Sequence, residues 1–258
     1  MKNSPTLSFT YDGTFEGLLS CVFEAFDKKI MPFSISQHPL SELFAENYTV
    51  STETQKANRV LTGLKKKLSP SALNMLFVCW LSELKEVDML LFNYICKTFL
   101  AEKSIELNFA DADVLELSKI VKKVSQEAER MRQFVRFQKA SDQTYFASIE
   151  PMYNVLPLTL SFFEDRFADQ QWIIYDLKRK YGLFYNLEKT EIIHFDNLSI
   201  NKSNGKLHED LLADDELDFQ DSWRQYLQSV TIKERKNLKL QRQHMPKRFW
   251  KYLTEKQG

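Results

Sequence analysis

"QWIIYDLKRKYGLFYNLEKTEIIHFD", residues 171–196, decides the fold. It holds three short runs rich in Ile, Tyr, Phe and Trp, separated by Lys178–Lys180 and Asn186–Lys189. Aromatic and β-branched runs bounded by polar turn residues predict strands, and the short gaps predict antiparallel neighbours. Upstream, "QFVRFQ" and "TYFASIE" alternate around "KASDQ" and predict a further hairpin ending at Pro151. "NVLPLTLSFFEDRF" predicts a helix from about Pro157.

Further upstream the apolar period becomes helical. Phe15, Leu18, Leu19, Val22, Phe23 and Phe26 form one stripe, with Thr14 placed to cap it. Residues 6–11 read as a strand before the Asp12-Gly13 turn, and residues 30–52 as loop. A helix is predicted over 53–68, carrying Ala57, Val60, Leu61, Leu64 and Leu68. Ser69-Pro70 starts another, through Leu73, Leu76, Phe77, Trp80, Leu81 and Leu84. A helix over 86–100 and one opened by an Asp113/Glu116 capping box complete this half. Downstream, residues 197–213 are polar and predict a linker, followed by a helix over 214–230.

The fold class expected is therefore α+β. It has a mainly helical portion over 1–128, an antiparallel portion over 129–197, and a linker with a helical basic tail over 198–258. The strand at 6–11 is a candidate to join the middle sheet.

Composition bounds the function. With 43% hydrophobic residues and 20 Phe in 258 residues, the chain has ample material for a core. No apolar run approaches a membrane span and the first residues lack a signal-peptide pattern, so no membrane association is expected. Cys21, Cys79 and Cys96 predict reduced, unlinked thiols and a cytoplasmic setting. His38, His194, His208 and His244 are scattered without metal-ligand spacing, so no metal or cofactor is expected. Phosphate-loop, dinucleotide-binding and nucleophile-elbow motifs are missing. "YDGTFEGLL" could hold an anion at a helix start, or be a tight turn and nothing more. Glu164, Asp165 and Asp176 are candidate catalytic carboxylates, or members of salt-bridged surfaces.

Charge is distributed unevenly. The chain has 35 basic and 35 acidic residues, yet "IKERKNLKLQRQHMPKRFWKYLTE", residues 232–255, holds eight Lys or Arg against two Glu. In a continuous helix, Arg235, Lys239 and Arg242 share a face. With Lys247 and Arg248 they suit phosphate contacts, and Trp250 or Trp223 suits stacking on a base. Arg136 belongs to a second basic cluster with Arg130, Arg132 and Lys139, interleaved with Phe134 and Phe137. The alternative is internal neutralisation of the tail by the seven acids of residues 209–221.

These stretches also resemble a bacterial DNA metabolism protein family: "YDGTFEGLL", "KKLSP", "FVRF", "NVLPL", "QWIIYDLKRKYG" and the basic segment occur in its order. The resemblance implies a DNA partner and an association with a radical S-adenosylmethionine protein of DNA modification or repair. Some members of that family are fused to a C-terminal uracil-DNA-glycosylase-like domain; this sequence stops soon after "KYLTE", so the stand-alone form is expected. Tyr153 stands where the family often has His, which removes an acid–base group titrating near neutral pH. The function expected is a nucleic-acid-binding accessory protein. The alternatives are an enzyme working through Asp176, Glu164 or Asp165, and a protein-interaction scaffold that does not bind DNA.

Overall fold

A computed structural model of the chain describes residues 2–39, 46–195, 199–201 and 203–256. It is α+β and divides after residue 125 into two compact units.

In the first unit, β1 (Lys2–Thr10) leads through the Asp12-Gly13 turn into α1 (Phe15–Lys28). Thr14 caps α1 by accepting from the Gly17 N–H at 3.0 Å. The expected stripe buries Leu18, Leu19 and Val22 completely or nearly so. The helix ends on Lys29 in the left-handed region, its N–H bonded back to Ala25 and Phe26. The region read as loop contains two strands, β2 (Ile30–Ser36) and β3 (Glu46–Thr49). Both pair parallel to β1, in the order β2-β1-β3. Pro32 weakens the strand signal of β2, and is tolerated because β2 is an edge strand. The strand at 6–11 therefore belongs to this separate sheet and does not join the middle one.

Helices α2 (Thr54–Lys67), α3 (Pro70–Trp80) and α4 (Val87–Leu100) fall close to their expected places. The Ser69 hydroxyl caps α3, accepting from Ala72 N–H and donating to Glu106. α3 stops before Leu84. α5 (Ala112–Phe134) is capped by Asp111 and not by Asp113: Asp111 Oδ1 accepts from the N–H of Asp113 at 2.8 Å. Leu64, Leu76, Leu91, Phe92, Ile95 and Leu117 fill the core beneath the helices.

The second unit carries a five-stranded sheet, β4 (Gln138–Lys139), β5 (Tyr145–Ile149), β6 (Trp172–Asp176), β7 (Tyr181–Tyr185) and β8 (Thr190–Ile193), paired in chain order. Three neighbouring pairs are antiparallel as expected. β5 and β6 are parallel, a correction to the antiparallel reading, because α6 (Leu156–Arg166) is a crossover that returns the chain to the same end. "QFVRFQ" is mostly not a strand, since α5 runs on to Phe134. On β7, Gly182 faces Tyr175 of β6, and a Cβ there would meet the ring at 2.8 Å. Phe163, Trp172 and Tyr185 pack as an aromatic core between α6 and the sheet.

Residues 197, 198 and 202 of the polar stretch read as a linker lie outside the described residues, and residues 207–213 of it are folded onto the sheet. Leu207 N–H donates to Gln138, Ser141 N–H to Leu211 and Ala213 N–H to Lys139. α7 (Glu216–Val230) follows. The tail is not one helix: a 3-10 turn at Lys233–Arg235, α8 (Leu238–His244) and further 3-10 turns at Lys247–Tyr252 and Thr254–Lys256 replace it. The β-branched run Val230-Thr231-Ile232 breaks α7, with Thr231 and Ile232 extended. Asn237 then caps α8, accepting from Leu240 N–H at 3.0 Å. Arg235 therefore shares no helical face with Lys239 and Arg242.

Candidate nucleic-acid interface

The basic segment splits into a docked end and an exposed stretch. At the docked end Phe249 and Leu253 are buried, and Phe249 meets Phe134 at 5.3 Å. Arg248 pairs with buried Glu127 and lies over the Phe249 ring. Lys251 pairs with Glu150 at 2.5 Å, and Tyr252 donates to the same carboxylate at 2.9 Å. Arg136 grips both oxygens of Glu255, at 2.7 and 3.3 Å, and donates to the carbonyls of Gln133 and Val135. Trp250 donates its indole N–H to Met245 O, while Lys256 sits over its ring. Of the expected contact residues, Arg136, Arg248 and Trp250 are thus engaged in holding the fold.

Residues 231–240 are exposed throughout. Residues 231–233 and 235–237, together with the end of α7, border a groove of about 1250 Å³, walled by Arg224, Lys233, Arg235, Lys236 and Lys256. Its lining includes one acid, Glu255, already held by Arg136. Lys233, Arg235 and Lys236 pair with no carboxylate among the described residues. Of the expected residues, Arg235 lines the groove. Lys239, Arg242 and Lys247 are exposed outside its lining. Arg224, Lys233, Lys236 and Lys256 were not singled out from sequence. The signal that would have found them is the β-branched break after α7, which folds the chain back beside that helix.

Three acids of the run 209–221 have partners outside the basic segment. Asp215 pairs with Lys139, Glu216 accepts from Lys139 N–H and Gln220, and Asp221 pairs with Arg224.

Two of the three candidate catalytic carboxylates, Asp176 and Glu164, are engaged by separate partners. Asp176 is fully buried; it accepts from the N–H groups of Lys178 and Arg179 and pairs with the Arg179 guanidinium at 2.8 Å. Burial pushes its carboxyl above the ordinary range, against the pull of Arg179. It fastens the β6–β7 turn. Glu164 accepts from Thr190 at 2.6 Å, and Asp165 is exposed on α6. Tyr153 is buried, and the neighbouring Asn154 accepts from the Tyr181 hydroxyl at 2.5 Å.

The anion reading of "YDGTFEGLL" fails on geometry. The Asp12 carboxylate accepts from the N–H and hydroxyl of Thr14 and from Thr52, so a negative group already occupies the start of α1. A Cβ on Gly17 would lie 2.3 Å from that carboxylate. Cys21, Cys79 and Cys96 are free and buried, and burial above all pushes each thiol up to about 12. Thiols so shifted are poor nucleophiles at neutral pH. Among the described residues, no group of three His, Cys, Asp or Glu is placed to hold a metal, and no helix is long and apolar enough to cross a membrane.

Residues 85–255 match the family model described as a domain of unknown function, DUF4130, and the chain belongs to that family. No curated protein matches the chain. Among solved structures, the pGpG-specific phosphodiesterase PggH from Vibrio cholerae is similar over 88% of this chain and 100% of its own. The identity is 10% and the TM-score 0.30, a level at which neither fold nor activity carries over.

Proposed function

We propose that this DUF4130 protein is a nucleic-acid-binding accessory protein of DNA modification or repair, and that the groove beside α7 and residues 231–237 holds the phosphate backbone. The supporting observation is the groove's charge: five cationic side chains line it, and its one acid is held by Arg136. In a protein with no net charge, long-range attraction is weak, so a local concentration of cations is what a polyanion would meet, with Lys233, Arg235 and Lys236 lacking a carboxylate partner among the described residues. Lys239, Arg242 and Lys247 extend this surface.

The test is binding of labelled DNA by the Lys233→Glu, Arg235→Glu, Lys236→Glu variant across a salt series. Lost phosphate contacts should lower affinity for every sequence alike, since such contacts carry no base information. They should also flatten the log–log salt dependence by roughly 0.9 per contact on duplex, or about 0.7 on single strands. The three side chains are exposed, so the melting temperature should hold. Unchanged affinity and slope would refute the reading.

The partner implied by the family resemblance is a radical S-adenosylmethionine repair protein, to which this chain would present DNA. Co-expression should give a single peak on gel filtration in the presence of DNA. Separate elution with and without DNA would count against that partner.

A further inference from the structure

We propose a second, independent nucleic-acid surface in the first unit: the exposed face of α2, shaped to enter the major groove of duplex DNA. α2, "TQKANRVLTGLKKK", has five Lys or Arg and no acid over Thr54–Lys67. Two of the five serve the fold. Lys56 pairs with Glu24 and Glu53. Lys67 donates to the carbonyls of Thr98, Phe99 and Ala101 at the end of α4.

Arg59, Lys65 and Lys66 are exposed and have no carboxylate partner among the described residues. Lys65 and Lys66 sit in the last turn, where the helix dipole favours cations, so their placement has a local reason. Arg59 and Lys66 lie seven residues apart on one face, with Asn58 and Thr62 also exposed there. A shallow depression of about 340 Å³ runs among Asn58, Arg59, Thr62, Gly63 and Lys66. The Arg59 guanidinium is steadied over the Phe23 ring at 5.0 Å.

An ordinary solvated helix face interleaves acids with bases, as α5 does with Glu116–Lys119 and Glu129–Arg132. The α2 face instead offers Arg and Lys, which bond guanine O6 and N7, and Asn, which bonds adenine N6 and N7. Gln55, Asn58, Arg59, Thr62, Lys65 and Lys66 form the exposed polar face, and none is aromatic. That disfavours an unpaired strand held by base stacking. From Asn58 to Lys66 the helix rises about 12 Å, or three to four steps of a duplex at 3.4 Å each. α2 lies outside the residues matched by the family model, so the proposal stands apart from that match.

The experiment compares three full-length proteins on one mixed-sequence duplex and on its single strand. They are the wild type, an Arg59→Glu, Lys66→Glu variant and the groove variant described above, each checked by thermal melting. The α2 variant should lose at least about tenfold in duplex affinity and little on the single strand, with its melting temperature kept. In a binding-site selection, Asn58→Ala should relax base preference without a comparable loss on non-specific duplex. Unchanged duplex affinity of the α2 variant overturns the proposal. Equal losses on duplex and single strand overturn the groove-reading part and leave a plain phosphate patch. Loss in the α2 variant with full binding by the groove variant supports this proposal and refutes the groove reading above.

Discussion

Glu127 is 1% exposed and accepts from Met152 N–H at 2.9 Å on one oxygen and from Arg248 on the other; Arg130 is 3.7 Å away. A carboxylate so placed depends on its partner, because an unpaired buried charge is expensive. Arg248→Ala should lower unfolding stability by about 3 kcal/mol in urea denaturation, most of it from stranding Glu127. It should leave DNA affinity near the wild-type value once the protein is folded, since Arg248 is engaged by that carboxylate. A folded variant of normal stability that has lost DNA binding would instead assign Arg248 to the interface. The same distinction separates Arg136 and Trp250 from Lys233 and Arg235. Residue type shows that a side chain can meet a phosphate; its partners decide whether it is available.

Among elements, the short 3-10 turns that close the chain are held by acid–base pairs. Lys251 and Tyr252 hold the Glu150 carboxyl below its usual range. Burial raises that of Glu255, but Arg136, the backbone N–H and Trp223 together outweigh it and the net shift is downward. Carboxyls depressed in the folded protein add stability that is present above their unfolded value of about 4.3 and is lost as pH falls through the folded values. Acid below about pH 4 should therefore loosen the end of the tail, seen as a change in tryptophan fluorescence, because Trp223 donates to Glu255 at 3.5 Å. In Glu255→Gln this acid step should shrink; an unchanged step would place its origin elsewhere. The tail elements also show where reading by element fails. Asn237 is a good capping residue in plain sight, yet a continuous helix from 231 hides it. The parallel pair β5–β6 is signalled by the order strand, helix, strand, whereas short loops join the antiparallel neighbours β6, β7 and β8.

At the scale of the molecule, neutrality conceals two cationic surfaces, one in each unit, and neither is evident from net charge. The sequence by itself determined the α+β class, the helices α1 to α4, α6 and α7 with the Thr14 and Ser69 caps, and the three strands of residues 171–196. Local rules suffice there: apolar period, capping chemistry and turn residues act over a few positions. Only the tertiary structure decided that residues 30–36 and 46–49 pair parallel to β1, because parallel partners are fixed by contacts distant in the chain. It alone decided that residues 207–213 fold onto β4 and that Asp176 fastens a turn. It also divided the basic segment, tying Arg248 and Arg136 to Glu127 and Glu255 and leaving Lys233, Arg235 and Lys236 exposed. Charge is written in the sequence, but its neutralisation depends on distance and burial, and those exist only once the chain has folded.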